Sequence, residues 1–328
     1  MKRIFPHNFV GLLCLLACLL APTSAWAWGC KGHQTVALIA GKYLTPEARQ
    51  FVGKMLRENP VDPQLTRYCG TMPPSGGLDL LSDASTWPDD IRSARKNGAW
   101  HYIDIPRGAA RKPLEAYCGT QGCVTSAIAE QLAILKNQKA EPGLRAEALR
   151  YLIHLVADLH MPLHATDNND LGGNCVPVRY FRRGPHAHHN SYTPNLHYIW
   201  DVAIPERDME GAEPPEYAES LIEKFDAQVA AWQRAGIHVV DWAWESHGLA
   251  ETVAYGKLSP AIPAESPIET HSCTDARNVG ERMMQLHISV AAEYQEAAAP
   301  VVEERLMQAG VRLAMILNDA VKVSGAAK

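Results

Sequence analysis

The stretch RAEALRYLIHLVADLHMPLH, residues 145–164, carries a strongly helical pattern of apolar residues. His154 and Asp158 lie four residues apart within it, and the same spacing recurs at His197 and Asp201. Residues four apart share one face of a helix, so each pair can present an imidazole nitrogen and a carboxylate oxygen to the same point. These are ligand atoms that zinc accepts. A single pair is weak evidence, because most helical His and Asp side chains are solvated, but two pairs favour a metal site.

Helical periodicity continues beyond this stretch, and strand-like alternation is scarce. Thr45 and Pro46 form a typical helix start. Apolar stripes predict further helices at 127–135, 146–159, 221–232, 279–294 and 301–317. The pattern breaks at 59–81, 167–195 and 259–272, and β-prone residues at 176–181 predict a short hairpin. We therefore expect a mainly α, compact single-domain helical bundle with a short β-hairpin.

The first 27 residues have the features of a secretory signal peptide. A basic start precedes an apolar core at 9–20, and Ala25-Trp26-Ala27 is a small-x-small cleavage site. The core is shorter than the roughly 20 residues of a membrane span, and no later segment is long and apolar enough, so no membrane anchor is expected. Residues 28–328 would form the mature domain, secreted or periplasmic and monomeric. A lipoprotein cleavage site at residues 15–18, with Cys18 as the lipidated residue, is the alternative.

Charge and cysteine content limit the class of protein. Removal of residues 1–27 takes away Lys2 and Arg3 and no acidic residue, so the formal charge changes from −5 to −7. This argues against a general basic nucleic-acid surface, although bound cations could supply local positive charge. Six of the eight cysteines remain, which indicates up to three disulfides in an exported chain, or reduced buried thiols as the alternative. Cys118 and Cys123 are the favoured pair.

Further candidate ligands lie in short motifs elsewhere. Asp89 belongs to WPDDIR at 87–92, His101 to WHYID at 100–104, and His164 follows the first helical pair. His33 lies close to the expected new amino terminus, where the α-amine of Trp28 could also coordinate a metal after losing its proton. Taken alone, His33 is more easily explained as a capping or core histidine. Together these donors suffice for two sites, and for three if Trp28 takes part.

These motifs occur in an order that is known from one family. The chain resembles the zinc-dependent S1/P1 nucleases through WGxxGH at 28–33, WxDxIR at 87–92, HYID at 101–104, HxxxDxHxPLH at 154–164, GGN at 172–174 and NLHxxWD at 195–201. The resemblance covers nearly the whole mature chain. It implies a P1 nuclease-like helical fold with three Zn²⁺ ions at the bottom of a cleft.

The resemblance also implies which residues hold each ion. The first zinc would be held by Asp89, His101 and His154. Asp158 would bridge it to a second zinc held by the amino and carbonyl groups of Trp28 and by His33. A third would be held by His164, His197 and Asp201.

By the same resemblance, the activity is cleavage of single-stranded DNA and RNA to 5'-phosphorylated products, often with 3'-nucleotidase activity. Asp89 would orient the attacking water, and Arg92 and Asn174 would contact the phosphate in the transition state. Tyr102 would stack on a base and Asp104 would bind its edge, which requires an unstacked base. Without the resemblance, Arg92 could equally form a surface salt bridge and Tyr102 could be a core aromatic.

Two alternatives from other classes stay open at this point. A zinc-dependent phospholipase C has a similar three-zinc cluster, but its last ligand is Glu where this chain has Asp201, and the short step from Trp28 to His33 also favours the nuclease. The second alternative is a secreted protein with structural zinc, or one that binds nucleotides without turnover. Structural zinc sites are usually closed and rich in cysteine, whereas this set is His and Asp.

Overall fold

A computed structural model of the chain describes residues 28–69, 79–188, 190–268, 270–274 and 278–325. The expected signal peptide at 1–27 lies outside them. The helices are α1 (Cys30–Tyr43), α2 (Pro46–Glu58), α3 (Asp79–Arg95), α4 (Val124–Lys136), α5 (Pro142–His160), α6 (Leu196–Tyr198), α7 (Ile204–Asp208), α8 (Pro214–Ala235), α9 (Val239–Leu249), α10 (Val279–Met284) and α11 (Ala292–Gly325). Short 3-10 turns lie at Gly98–His101, Leu114–Tyr117 and Pro162–Ala165, and π-helical turns at Ile199–Ala203 and Ala250–Ala254. The prediction of a mainly α protein is confirmed.

The helices pack around α5, which carries the stretch that opened the sequence analysis. Helices α3, α4 and α11 all pack against α5, and α1 lies against α3, α8 and α11. Every residue of α5 from Ala148 to His160 is buried. A helix that is covered on all sides places its polar residues in the protein interior, where each one needs a partner. His154 and Asp158 are therefore interior groups and not part of a solvated face.

The helix start predicted at Thr45 is present. The Thr45 hydroxyl accepts a hydrogen bond from the backbone N–H of Ala48 at 3.2 Å, and Pro46 occupies the first helical position. The predicted helix at 279–294 is wrong in part, because α10 ends at Met284 and the backbone turns through a left-handed conformation at His287. A short strand follows the turn, and α11 begins only at Ala292.

The described strands are β1 (Arg179–Tyr180), β2 (His186–His188), β3 (Ser191–Thr193) and β4 (Ser289–Val290). The β-prone residues 176–181 contain β1, which pairs in parallel with the distant β4. Val176 and Val178 are buried, so packing in the core favours this long-range pairing over a local turn. A hairpin does occur in the same loop, between β2 and β3.

Three disulfides connect the loops to the helical core. Cys118 pairs with Cys123 as predicted, and the other pairs, which the sequence left open, are Cys30–Cys69 and Cys175–Cys273. Three disulfides fit an exported protein. Within the described residues, none of the helices combines the length and the apolar character needed to cross a bilayer.

The disulfides differ in the length of chain that they close, and this predicts different effects on stability. Cys30–Cys69 spans 39 residues, whereas Cys118–Cys123 spans 5. A disulfide that closes a longer loop removes more conformational entropy from the denatured chain. We therefore expect the double serine variant of Cys30 and Cys69 to lose about 2 kcal/mol more free energy of unfolding than the double serine variant of Cys118 and Cys123. Urea unfolding of both variants measures this difference. Equal losses would contradict the entropic explanation.

Candidate metal centre

Eight buried His and Asp side chains meet beside α5. The chain folds so that α1, α3, α5, α6 and the short turns next to them each contribute at least one of these side chains. They form three groups in which the possible ligand atoms all lie within 4.8 Å of one another: His33, His154 and Asp158; Asp89, His101 and His154; and His164, His197 and Asp201. The structure thus brings together every His and Asp that the sequence analysis placed at the metal ions.

The group of Asp89, His101 and His154 combines one side chain from α3, one from the turn at Gly98–His101 and one from α5. Asp89 Oδ1 lies 3.8 Å from both His101 Nδ1 and His154 Nε2. The two ring nitrogens are 3.0 Å apart. Three ligand atoms at these separations converge on one point, as a metal site requires.

Asp158 connects the three groups. Its Oδ2 lies 3.0 Å from His101 Nδ1 and 3.1 Å from His154 Nε2. Its Oδ1 lies 3.4 Å from His33 Nε2 and 3.8 Å from His164 Nδ1. A carboxylate whose two oxygens face different groups can bridge two cations.

The group of His164, His197 and Asp201 lies next to Trp28. His197 Nε2 is 3.0 Å from Asp201 Oδ2, and His164 Nε2 is 3.8 Å from Asp201 Oδ1. The backbone nitrogen of Trp28 donates to Asp201 Oδ1 at 3.1 Å. The Trp28 side chain is fully buried, and its indole N–H donates to the carbonyl of Ala157 at 2.8 Å. Trp28 is therefore anchored inside the candidate centre.

Backbone carbonyls orient two of the imidazoles. His154 Nδ1 donates to the carbonyl of Ser85 at 2.6 Å, and His197 Nδ1 donates to that of Gly172 at 2.7 Å. Because a carbonyl can only accept, the hydrogen of this bond is on Nδ1, and Nε2 is the ring nitrogen that faces the group. Gly172 has φ +60°, and a Cβ there would lie 2.7 Å from the Leu163 carbonyl oxygen, so only glycine fits the turn that reaches His197.

The buried polar atoms test whether these residues fit metal ions. Several atoms that face the centre are buried without a hydrogen-bond partner: His33 Nε2, Asp89 Oδ1, Asp158 Oδ1, His164 Nδ1 and Asp201 Oδ2. Unsatisfied buried polar atoms are costly, and a coordinated cation would satisfy them. The donor set of imidazoles and carboxylates is one that zinc accepts. The residues therefore fit the metal ions that the sequence led us to expect.

The protonation states of the centre are shifted by burial and by close charges. Burial lowers the pKa of His33 and holds that of His164 well below its ordinary value, which favours the neutral imidazoles that coordinate metals. Burial alone would raise the pKa of Asp158, but the charge and hydrogen bonds of His154 and its neighbours hold it well below the usual range. Asp158 is therefore a carboxylate at neutral pH.

The candidate metal centre lies against a cleft of about 640 Å³. Arg92, Tyr102, Asp104 and Asn174 all line this cleft together with the candidate ligands His101, His164 and His197. Arg92 Nη1 lies 3.9 Å from Asp89 Oδ1. Tyr102 is 42% exposed, so it is not the core aromatic of the alternative interpretation. The Asn174 amide donates to the Leu171 carbonyl at 2.8 Å.

Asp104 belongs to an acidic part of the cleft. Desolvation by the cleft walls, followed by the carboxylates of Asp167 and Asp170, raises its pKa to about 7. Burial and Asp167 likewise raise the pKa of Asp170 to about 7, and Asp170 accepts hydrogen bonds from the Tyr255 hydroxyl at 2.9 and 3.0 Å. Asp104 therefore changes charge near neutral pH.

A comparison with protein families agrees with this geometry. The family model described as S1/P1 Nuclease matches residues 28–322. The chain belongs to the S1/P1 nuclease family. Among curated relatives of this S1/P1 nuclease, Endonuclease 4 of Arabidopsis thaliana is 30% identical over 312 residues, which cover 90% of this chain and 89% of that protein.

Two fungal relatives are more distant. Nuclease S1 of Aspergillus oryzae is 26% identical over 308 residues, covering 89% of this chain and 91% of that protein. Nuclease P1 of Penicillium citrinum is 25% identical over 301 residues, covering 89% of this chain and 97% of that protein. Family membership makes this chain a nuclease, which is a hydrolase.

One wall of the cleft in this S1/P1 nuclease was not assigned from the sequence. Glu265, Pro267, Ile268, Thr270 and His271 line the cleft, although 259–272 was only recognised as an irregular segment. The side chains of Asn168 and Asn169 hold this wall in place, since each hydrogen-bonds to backbone atoms of 263–268. The length of the irregular segment was the only available signal, because long loops in compact domains are often functional.

Proposed function

We propose that this S1/P1 nuclease is an exported, zinc-dependent enzyme that cleaves single-stranded DNA and RNA to 5'-phosphorylated products and also dephosphorylates 3'-nucleotides. The proposal rests on one observation above all. Three adjoining buried groups of His and Asp lie together, and His101, His164 and His197 from two of them line a cleft whose other lining residues include a guanidinium, an amide and an exposed aromatic ring. These are the side chains that a phosphodiester next to an unstacked base requires.

The ligands that we propose for three zinc ions follow the three groups. Asp89, His101 and His154 would hold the first, His33 and Trp28 the second with Asp158 as the bridge, and His164, His197 and Asp201 the third. Zinc would supply Lewis acidity, which stabilises negative charge on a phosphate and makes water a better nucleophile near neutral pH. Orphaned buried nitrogen and oxygen atoms of these residues support the assignment.

The protein's own groups bind and orient the phosphate. The Arg92 guanidinium donates to two phosphate oxygens at once, which fixes the direction of the phosphorus. The Asn174 amide exchanges its hydrogen bond to Leu171 for one to the phosphate, and this stabilises charge that develops in the transition state. The Asp89 carboxylate accepts a hydrogen bond from the attacking water and holds it in line with the scissile bond.

Tyr102 and Asp104 explain the preference for single strands. The exposed Tyr102 ring offers a stacking surface worth about 1 to 3 kcal/mol per base, whatever the base. A base in a duplex is already stacked and paired, so it cannot reach this ring. Asp104 then hydrogen-bonds to the edge of the base that Tyr102 holds.

The raised pKa of Asp104 predicts a pH-dependent base preference. Below about pH 7 the protonated carboxyl can donate to a base, and above it the carboxylate can only accept. We expect the ratio of kcat/KM for 3'-GMP and 3'-AMP to rise about fivefold between about pH 6 and pH 8, since charge-assisted bonds to guanine N–H groups are stronger. Asp104→Asn should hold the ratio constant. A ratio that changes equally in both proteins would contradict this role.

The most informative test of the proposed function measures metal and substrates together. We expect the purified processed protein to contain three zinc ions per chain and to hydrolyse single-stranded DNA, RNA and 3'-AMP, with duplex DNA cleaved far more slowly. Hydrolysis of phosphatidylcholine without cleavage of single-stranded DNA would assign the phospholipase C activity instead. Zinc without turnover of any phosphodiester would support the binding-only alternative.

A further inference from the structure

An unusual distribution of charge follows the GGN motif. The thirty residues 171–200 contain no Asp or Glu, although 36 acidic residues are spread over the 328 of the chain. The same segment contains Arg179, Arg182 and Arg183, and all three side chains are exposed. An acidic protein therefore carries a local basic surface beside its candidate metal centre.

A fourth arginine joins this surface from α7. The Arg207 guanidinium carbon lies 3.8 Å above the centre of the Phe181 ring, and Arg207 is exposed. The Arg179 guanidinium packs beside Gly184, next to Arg183. The four arginines therefore lie on one surface, which we call the arginine face: Arg179, Arg182, Arg183 and Arg207.

The arginine face is not neutralised by the protein itself. Within the described part of the chain, none of its four guanidinium groups forms an ion pair with a carboxylate. Exposed cations elsewhere do so, as in Arg111 with Asp241, Lys224 with Glu303 and Arg282 with Glu265. Asp208, beside Arg207, is engaged by the Tyr217 hydroxyl. Four exposed cations without a carboxylate partner attract polyanions, and the guanidinium fork can bind phosphate oxygens in pairs.

The face is connected to the cleft by short, well-ordered backbone. Asn174 lines the cleft, and its carbonyl accepts a hydrogen bond from the Ser191 hydroxyl of β3. Arg179 lies five positions after Asn174, a span of at most about 18 Å. On the other side, Arg207 follows the ligand Asp201 by six residues of continuous helical structure, a rise of about 9 Å. A single strand of several nucleotides can therefore reach from the cleft to the face.

We propose that the arginine face binds the phosphate backbone of polymeric single-stranded nucleic acid, outside the nucleotide that is cleaved. This rests on the proposed nuclease function and adds a contact that short substrates cannot make. A lipid surface is the less favoured partner, because the large exposed apolar side chains in the described residues, Tyr68, Tyr102, Leu144, Val240 and Ile268, all lie outside the face. Phosphate contacts of this kind require no particular base.

Charge reversal and substrate length test the proposal together. For Arg182→Glu with Arg183→Glu, we expect kcat/KM on a 30-nucleotide single strand to fall at least tenfold at about 50 mM salt, and its salt slope to fall by about 1.4 for two lost contacts. Hydrolysis of 3'-AMP should change less than twofold. The matched control is Arg49→Glu with Arg57→Glu on α2, which has the same charge change at exposed positions and should leave both rates unchanged.

Other outcomes separate this inference from the function on which it rests. If the wild type hydrolyses neither substrate, the proposed function fails, and fluorescence anisotropy of a labelled 30-nucleotide strand still measures whether the face binds it. Equal losses on both substrates, or the same loss in the α2 control, would overturn the proposal. So would arginine-dependent binding to phosphatidylglycerol vesicles with unchanged 30-nucleotide kinetics. Thermal unfolding of each variant excludes a folding defect.

Discussion

Asp158→Asn is expected to abolish nucleic-acid hydrolysis, with a loss of more than about a thousandfold. Asp158 is fully buried and its two oxygens face four histidines from all three groups. Asparagine keeps the shape and one oxygen but removes the negative charge that balances two cations. Mutation of a residue that only hydrogen-bonds to a metal ligand already costs about 10- to 100-fold in metal affinity or activity. We therefore expect the loss of a bridging carboxylate to cost more.

The physical cause can be measured separately from the rate. We expect elemental analysis of Asp158→Asn to find at least one metal ion fewer per chain, with an unchanged helical circular dichroism spectrum. Asp226→Asn, an identical substitution at an exposed position of α8, should retain both metal and activity. Full metal content and full activity in Asp158→Asn would show that the carboxylate bridges nothing.

The candidate ligands on α5 could be found from sequence because helix geometry is local. A spacing of four residues fixes the relative positions of His154 and Asp158 before any tertiary contact forms. The pair His197 and Asp201 follows the same spacing, although the backbone there passes from α6 into a π-helical turn. Both ends of each pair face one point, and the fold only has to bring the pairs together.

Long-range features could not be found in this way. The partners of Cys30 and Cys175, at Cys69 and Cys273, depend on how distant loops meet, and no spacing rule contains that information. The same limitation applies to β1, whose partner β4 lies more than a hundred residues further along the chain. The helical stripe at 279–294 failed for the same reason, since β4 interrupts it.

Buried charge away from the centre was also missed. Arg305 and Arg312 are buried and share the carboxylate of Glu245, with Arg312 also donating to His160 Nε2 at 3.0 Å. In sequence these arginines belong to α11 and look like solvated helix positions. Only the packing of α11 against α5 and α9 shows that both arginines donate to Glu245. His160, which is also buried, packs against these arginines.

An amino-terminal extension gives the second large expected effect. If the mature chain begins at Trp28, its α-amine titrates near about 8 and can lose its proton to coordinate a metal. In a chain with residues before Trp28, this nitrogen is an amide that keeps its hydrogen, and here it donates to Asp201 Oδ1. We expect a chain that retains Ala27 to contain one metal ion fewer and to hydrolyse single-stranded DNA at least about 100-fold more slowly. This is the upper end of the range for mutation of residues that hydrogen-bond to metal ligands.

Burial makes this effect specific to the amino terminus. Trp28 is fully enclosed and anchored through its indole to Ala157, which holds its backbone nitrogen beside Asp201. Mass spectrometry establishes the first residue of each preparation, and metal analysis and hydrolysis of single-stranded DNA are measured on the same samples. One alanine added at the carboxyl terminus is the control and should change neither quantity. If a chain that retains Ala27 has full metal content and the full rate, Trp28 does not coordinate a metal ion, and removal of the signal peptide is not needed for activity.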